Sequence, residues 1–126
     1  MDIKDKIIVI TGGASGIGRA MATRFINDGA KQVVIADVND DGLNEVAAEI
    51  GARAITTDVS DEAAVKHLIK TTEEDYGQID LLCNNAGIGL SGGPEVDNEC
   101  WDQIWQINVM AHVYAARAAL PHMLSR

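Results

Sequence analysis

The chain has 126 residues, 47% of them hydrophobic, and its 10 Lys and Arg against 19 Asp and Glu give a net charge of −9. That is long enough to bury a core without metal or disulfide support, and the apolar content is that of a globular chain rather than a disordered one. So acidic a surface repels phosphate backbones and anionic lipid, and no apolar run nears the roughly 18 residues of a membrane helix, so neither nucleic acid nor membrane is an expected partner.

Met1–Lys6 carries no secretory pattern and leads straight into Ile7-Ile8-Val9-Ile10, a short β-branched run that reads as a strand. It stops at Thr11-Gly12-Gly13-Ala14-Ser15-Gly16-Ile17-Gly18, beyond which Ile17, Met21, Phe25 and Ile26 share a helical face that closes at Gly29. A strand that turns through glycines into a helix start brings backbone amides and the positive end of a helix dipole to one place, which suits a pyrophosphate. The spacing is G-x-x-x-G-x-G, and Gly12, Ser15, Gly16, Ile17 and Gly18 are the candidate contacts. A plain glycine turn would look the same, so the turn by itself does not decide the matter.

The second strand-like run, Val33-Val34-Ile35-Ala36, ends in Asp37, 19 residues after Gly18. An acid there is placed to take the ribose hydroxyls of an adenosine. Its carboxylate would repel a 2′-phosphate, and neither Val38 nor Asn39 nor the glycine turn supplies a cation to hold one. The expected cofactor is therefore NAD rather than NADP. The competing reading is that Asp37 only caps the helix that follows.

Leu43, Val46, Ala47 and Ile50 repeat at helical spacing up to Gly51, and a weaker third strand, Arg53–Thr57, ends at Asp58. Asp61 and Glu62 open a helix in which Val65, Leu68, Ile69 and Thr72 share a face, closed by Gly77. A fourth strand, Ile79–Cys83, runs into Asn84-Asn85-Ala86-Gly87. These strands are continuous rather than alternating, as strands covered on both faces should be. Strand–helix alternation throughout predicts a doubly wound α/β fold with a parallel sheet and right-handed crossovers.

Ser91-Gly92-Gly93-Pro94 reads as a flexible loop and names no substrate. From about Asn98 to the end runs one long helix whose apolar residues, from Trp101 and Trp105 to Leu120 and Leu124, wrap more than one face. A helix apolar all round is expected to be buried all round, and Pro121 to bend or end it. Cys83 and Cys100 form no disulfide framework, which makes a reducing cytoplasm the simplest location; His67, His112 and His122 lack a metal-binding spacing.

Together, Thr11–Gly18, Asp58-Val59, Asn84–Gly87 and Asn108 in the long helix resemble the short-chain dehydrogenase/reductase family, over the whole chain. The resemblance implies a Rossmann-type sheet over residues 1–126, four strands in order 3-2-1-4 with helices on both faces and the cofactor at the carboxyl ends of strands 1 and 4. It implies that Asp58 and the Val59 amide hold the adenine, and that Asn85, Ala86 and Gly87 line the cleft and brace the central strands. Asn108 matches the helix asparagine whose backbone carbonyl orders a water in the family's proton relay. The implied activity is NAD-dependent hydride transfer between the nicotinamide and a small-molecule secondary alcohol or ketone. The implied assembly is a homo-oligomer through the helix around residues 101–124.

The sequence departs from the family pattern at the acid–base residues. The family uses a serine on a fifth strand and a Tyr-x-x-x-Lys on the next helix, where the lysine lowers the tyrosine pKa. Tyr76 is followed by Gly77-Gln78-Ile79-Asp80, Tyr114 by Ala115-Ala116-Arg117-Ala118, and Ser125 lies at a helix end. The chain thus resembles the amino-terminal cofactor half, cut before the fifth strand, and a non-catalytic NAD-binding fragment stands as the alternative. A methyltransferase would share the glycine turn and Asp37 but would leave Asn84–Gly87 without a purpose.

Overall fold

The computed structural model describes residues Met1–Arg126. One parallel sheet holds β1 (Ile7–Thr11), β2 (Gln32–Asp37), β3 (Arg53–Thr56) and β4 (Leu81–Cys83) in the order β3-β2-β1-β4. The connections are α1 (Gly16–Asn27), α2 (Asp40–Ile50) and α3 (Glu62–Tyr76). After β4 come α4 (Asn98–Trp105), a π-helical stretch Gln106–Met110, and α5 (Ala111–Leu124). The doubly wound Rossmann arrangement is the one expected, strand order included.

The two-residue period of the strands divides the core into two layers. Ile8, Ile10, Val33 and Ile35 pack with Ala22 of α1 and Leu43 and Val46 of α2. Ile7, Val9, Val34 and Ala36 point the other way, against Leu68 and Ile69 of α3 and Ala119 of α5. β1 and β2 are therefore covered on both faces, and each large aliphatic buried there contributes about 1.5–3 kcal/mol. β3 and β4 form the sheet's edges and are only partly buried, so the expectation of two-sided cover holds for the central pair alone. Cys83, at the β4 edge, is half-buried, and burial pushes its thiol pKa up.

Side chains satisfy most helix starts. Asn39 accepts from the Gly42 amide at 3.2 Å, Asp61 from Ala63 at 3.0 Å, and Asp97 from Cys100 at 3.0 Å. Asp80, just before β4, takes the Ile7 amide at 2.9 Å and an Arg126 guanidinium nitrogen at 2.9 Å, tying β4 to the start of β1. Burial works against its charge, yet the Ile7 amide, Arg126 and Lys6 together hold its carboxyl below the usual range. A depressed folded-state pKa means that this tie is intact at neutral pH and is lost as the pH falls through that depressed value.

Two expectations are overturned and a third is narrowed. Ile17 is 73% exposed, so the inner face of α1 begins at Gly18 and Ala22 with Met21, Phe25 and Ile26 beside them. The long helix is not buried all round. Only Ala111, Ala115 and Ala119 are buried, while Trp101 and Trp105 are 53% and 56% exposed and Leu124 is 77% exposed. The sheet meets this helix along one line of alanines at i, i+4 and i+8, with Ile107, Tyr114 and Met123 packed beside it, while Trp101, Trp105, Val109, Leu120 and Leu124 stay exposed. Pro121 does not end α5 either, because the helix runs on to Leu124 with one backbone hydrogen bond forgone.

Candidate functional site

The carboxyl ends of the strands open into a cleft of about 620 Å³, bounded on its far side by α4 and the π-helical stretch. Its position, where the chain order reverses beside β1, is the place where open parallel sheets bind ligands. The glycine turn forms one shoulder. Gly12 has φ of +71°, which only glycine adopts freely, and a Cβ built on Gly18 would sit 2.1 Å from the Gly12 carbonyl oxygen. The start of α1 thus lies against the end of β1, closer than any side chain allows. Ser15 makes no capping hydrogen bond, and the Gly16, Ile17 and Gly18 amides have no acceptor within the chain. Uncapped amides at a helix start favour an anion.

Asp37 ends β2 at the cleft's edge. Its carboxylate accepts from the Ala14 amide at 3.1 Å and from Asn39 at 3.1 Å, binding the glycine turn to the end of the neighbouring strand. The cap of α2 is Asn39, so Asp37 is not the capping residue. Val38 beside it is 70% exposed along the cleft. Asp58 Oδ1 takes both the amide of Ser60, at 2.9 Å, and its hydroxyl, at 2.6 Å, leaving Oδ2 without a partner. Val59 is buried, yet its amide has no partner in the chain and it lines the cleft. The charged side chains lining the cleft are Asp37, Asp58 and Asp102, with no Lys, Arg or His among its walls.

Ala86 and Gly87 line the cleft as expected, but Asn85 does not. Its side-chain amide is turned back on β1, donating to the Thr11 carbonyl at 3.0 Å, and its backbone amide reaches the Thr11 hydroxyl at 3.0 Å. Asn108 is also behind the wall rather than in it. Its Oδ1 accepts from Ile88 N and its Nδ2 donates to Ile88 O, both at 2.8 Å, so one side chain clamps the loop after β4 to the middle of the π-helical stretch. Gly12, Gly16, Ile17 and Gly18 shape the turn while Ser15 reaches the cleft itself.

Sequence reading missed three contributors. Thr11 is 4% exposed and its hydroxyl gathers the Asn85 and Ala86 amides at 3.0 Å each, a role with no local signature beyond a threonine at a strand's end. Gly13 packs on Ile35, where a Cβ would stand 2.6 Å from the isoleucine Cβ. Gln106 lines the cleft two residues before Asn108, and no spacing in the sequence marks it.

Comparison with known proteins agrees with this geometry. The family model described as short chain dehydrogenase matches residues 6–126. The chain is 43% identical, over 134 aligned positions, to the 1-deoxy-11-beta-hydroxypentalenate dehydrogenase of Streptomyces exfoliatus, covering 100% of this chain and 48% of that protein. Among solved structures, a 3-ketoacyl-(acyl-carrier-protein) reductase from Brucella melitensis complexed with NADH superposes with a TM-score of 0.91 at 39% identity, covering 95% of this chain and 51% of that one. A short chain dehydrogenase/reductase from Burkholderia phymatum in complex with NAD gives 0.93 at 35% identity, covering 99% and 46%. The chain spans about half the length of the curated relatives it matches.

Proposed function

Because this chain belongs to the short-chain dehydrogenase family, we propose that it is the NAD-binding half of an oxidoreductase that interconverts a secondary alcohol and a ketone. The observation that carries the reading is the cleft, a space the size of a nucleotide site lined by Ser15, the Asp37 carboxylate and Val59 with its free amide, with the unpaired amides of the α1 start following directly on Ser15. When bound, the dinucleotide supplies the hydride acceptor or donor. This chain's own residues do the rest of the holding. The α1 start receives the pyrophosphate, Asp37 the adenosine ribose, and Asp58 with the Val59 amide the adenine. Thr11, Asn85 and Asn108 fix the wall made by Ala86 and Gly87. The Asn108 backbone carbonyl is assigned the proton-relay water. The serine, tyrosine and lysine of that relay are not among these 126 residues, so on its own the chain binds cofactor without turnover.

NAD is the preferred cofactor because a 2′-phosphate would meet Asp37 in a cleft whose charged side chains are all acidic. Titrating NAD and NADP against tryptophan fluorescence should show NAD binding about tenfold or more tighter, since like charges brought together cost several kcal/mol. Asp37→Ala should narrow that gap. Equal or tighter NADP binding by the unaltered chain refutes the assignment.

The partner in this reading is a second copy. Trp101, Trp105 and Val109 stand at i, i+4 and i+8, all exposed, on the side of the helix that this chain leaves open. An aromatic stripe of this kind marks a contact surface. Sedimentation at micromolar concentration should give a mass above that of one chain, and Trp105→Glu should return it to the monomer. A monomer unaffected by the substitution excludes this face as the contact.

A further inference from the structure

Two of the polar side chains at the cleft already have their hydrogens committed, and Ser15 is held by no side-chain hydrogen bond. Thr57 donates its hydroxyl to the Ile55 carbonyl at 2.9 Å, and Ser60 donates to Asp58 Oδ1 at 2.6 Å. Gln103 is exposed and unpartnered, so nothing orients it. Gln106 differs from all of these. It stands where α4 gives way to the π-helical stretch, it is half-buried, and its Oε1 accepts from the Tyr114 hydroxyl at 3.0 Å. Tyr114 itself packs with Val59, Val65, Ala111 and Ala115, so the phenol is anchored by the core that supports the adenine end of the cleft.

A primary amide has two ends with different chemistry. With Oε1 held by Tyr114, the free end of Gln106 is its Nε2 donor, which has no partner in the chain. The same cleft holds Asp58 Oδ2, a free acceptor, and the Val59 amide, a free donor. An amide donor and a carboxylate acceptor lining one cleft complement a base that presents an exocyclic amine next to ring-nitrogen acceptors, which is the edge of adenine. A base with an exocyclic oxygen at that position would turn an acceptor toward Asp58.

We propose that Gln106 is a base-recognition residue, donating from Nε2 to a ring nitrogen of the adenine, and that Tyr114, whose hydroxyl donates to Gln106 Oε1, is the residue that positions its side chain at the cleft. This rests on the reading of the cleft as a dinucleotide site and adds a contact from the helix side to those of Asp58 and Val59.

The test is an NMR titration of the 126-residue chain with two probes, 5′-AMP and ribose 5-phosphate, for the unaltered chain, Gln106→Leu and Tyr114→Phe. Losing one neutral hydrogen bond should weaken AMP by about fivefold in Gln106→Leu, with a smaller loss in Tyr114→Phe. Ribose 5-phosphate, which has no base, should bind all three alike. Unchanged AMP affinity in Gln106→Leu overturns the proposal while leaving the cofactor reading intact. Equal weakening of both probes also overturns it, because that outcome reports a distorted cleft rather than a lost base contact. Failure of the unaltered chain to bind AMP or NAD at all removes the cofactor reading, and this inference with it.

Discussion

Replacing Gly18 with alanine should lower stability by about 3 kcal/mol and weaken NAD binding by about tenfold or more. The added Cβ would stand 2.1 Å from the Gly12 carbonyl oxygen and 2.7 Å from Asn85 Nδ2. Neither neighbour is the loose end of a flexible side chain. The first is main chain in the glycine turn, and the second is held by its bond to the Thr11 carbonyl at 3.0 Å. Relief requires α1 to lift from the end of β1, which carries the open amides of its first turn away from the pyrophosphate position. Gly89→Ala is the control, since nothing lies within 4 Å of a Cβ there, and it should stay within about 0.5 kcal/mol of the unaltered chain. Urea unfolding and an NAD titration on both variants decide the point. A Gly18→Ala chain that matches the Gly89→Ala chain in midpoint and affinity would show that the close approach is not what the glycine provides.

What could be read in the sequence was what repeats locally. The unbroken β-branched runs at Ile7–Ile10 and Val33–Ala36 belong to the two strands that are covered on both faces, and the chain alternates strand and helix as those runs implied. The glycine turn and Asp37 were legible because their spacing along the chain equals their meeting in space across adjacent parallel strands. The helix after β4 misled because periodicity counts apolar faces and says nothing of what stands opposite them. Trp101 and Trp105 satisfy a buried-helix pattern, yet four strands and three preceding helices fully bury only Ala111, Ala115 and Ala119 and leave both tryptophans exposed. Ile17 misled for a related reason, since it lies in phase with Met21 but the face of α1 laid against the end of β1 at this point is that of Gly18. The bracing of the cleft left no pattern at all. Thr11 and Asn85 are 74 residues apart, and Asn108 reaches Ile88 by side-chain bonds to main chain that no spacing rule encodes.

That hidden bracing should be as costly to lose as the glycine. Thr11→Val preserves shape and removes only the hydroxyl, and it is expected to destabilise by about 2–3 kcal/mol, because a buried donor left without an acceptor costs about 1–3 kcal/mol. The hydroxyl is 3.0 Å from both the Asn85 and the Ala86 amides and 3.4 Å from the Cys83 carbonyl, to which it donates. Asn85 N keeps the Cys83 carbonyl at 2.9 Å as a second acceptor, whereas Ala86 N has none. The loss therefore falls on Ala86, which forms the cleft wall, and NAD affinity should decline with stability. Thr11→Ser retains the hydroxyl and gives up one methyl group, so it should cost only about 0.8 kcal/mol. Asn85→Ala removes the amide that donates to the Thr11 and Gly12 carbonyls from the other side of the same junction. Groups in one hydrogen-bond network are coupled, so Thr11→Val with Asn85→Ala should fall short of the sum of the single losses by about 0.5 kcal/mol or more. Denaturant unfolding of the four chains measures the cycle directly. If Thr11→Val proves no worse than Thr11→Ser, or if the double variant is additive, the hydroxyl is not what joins β1 to the loop after β4, and the cleft wall must be held by the Asn85 side chain and the Asn108 clamp instead.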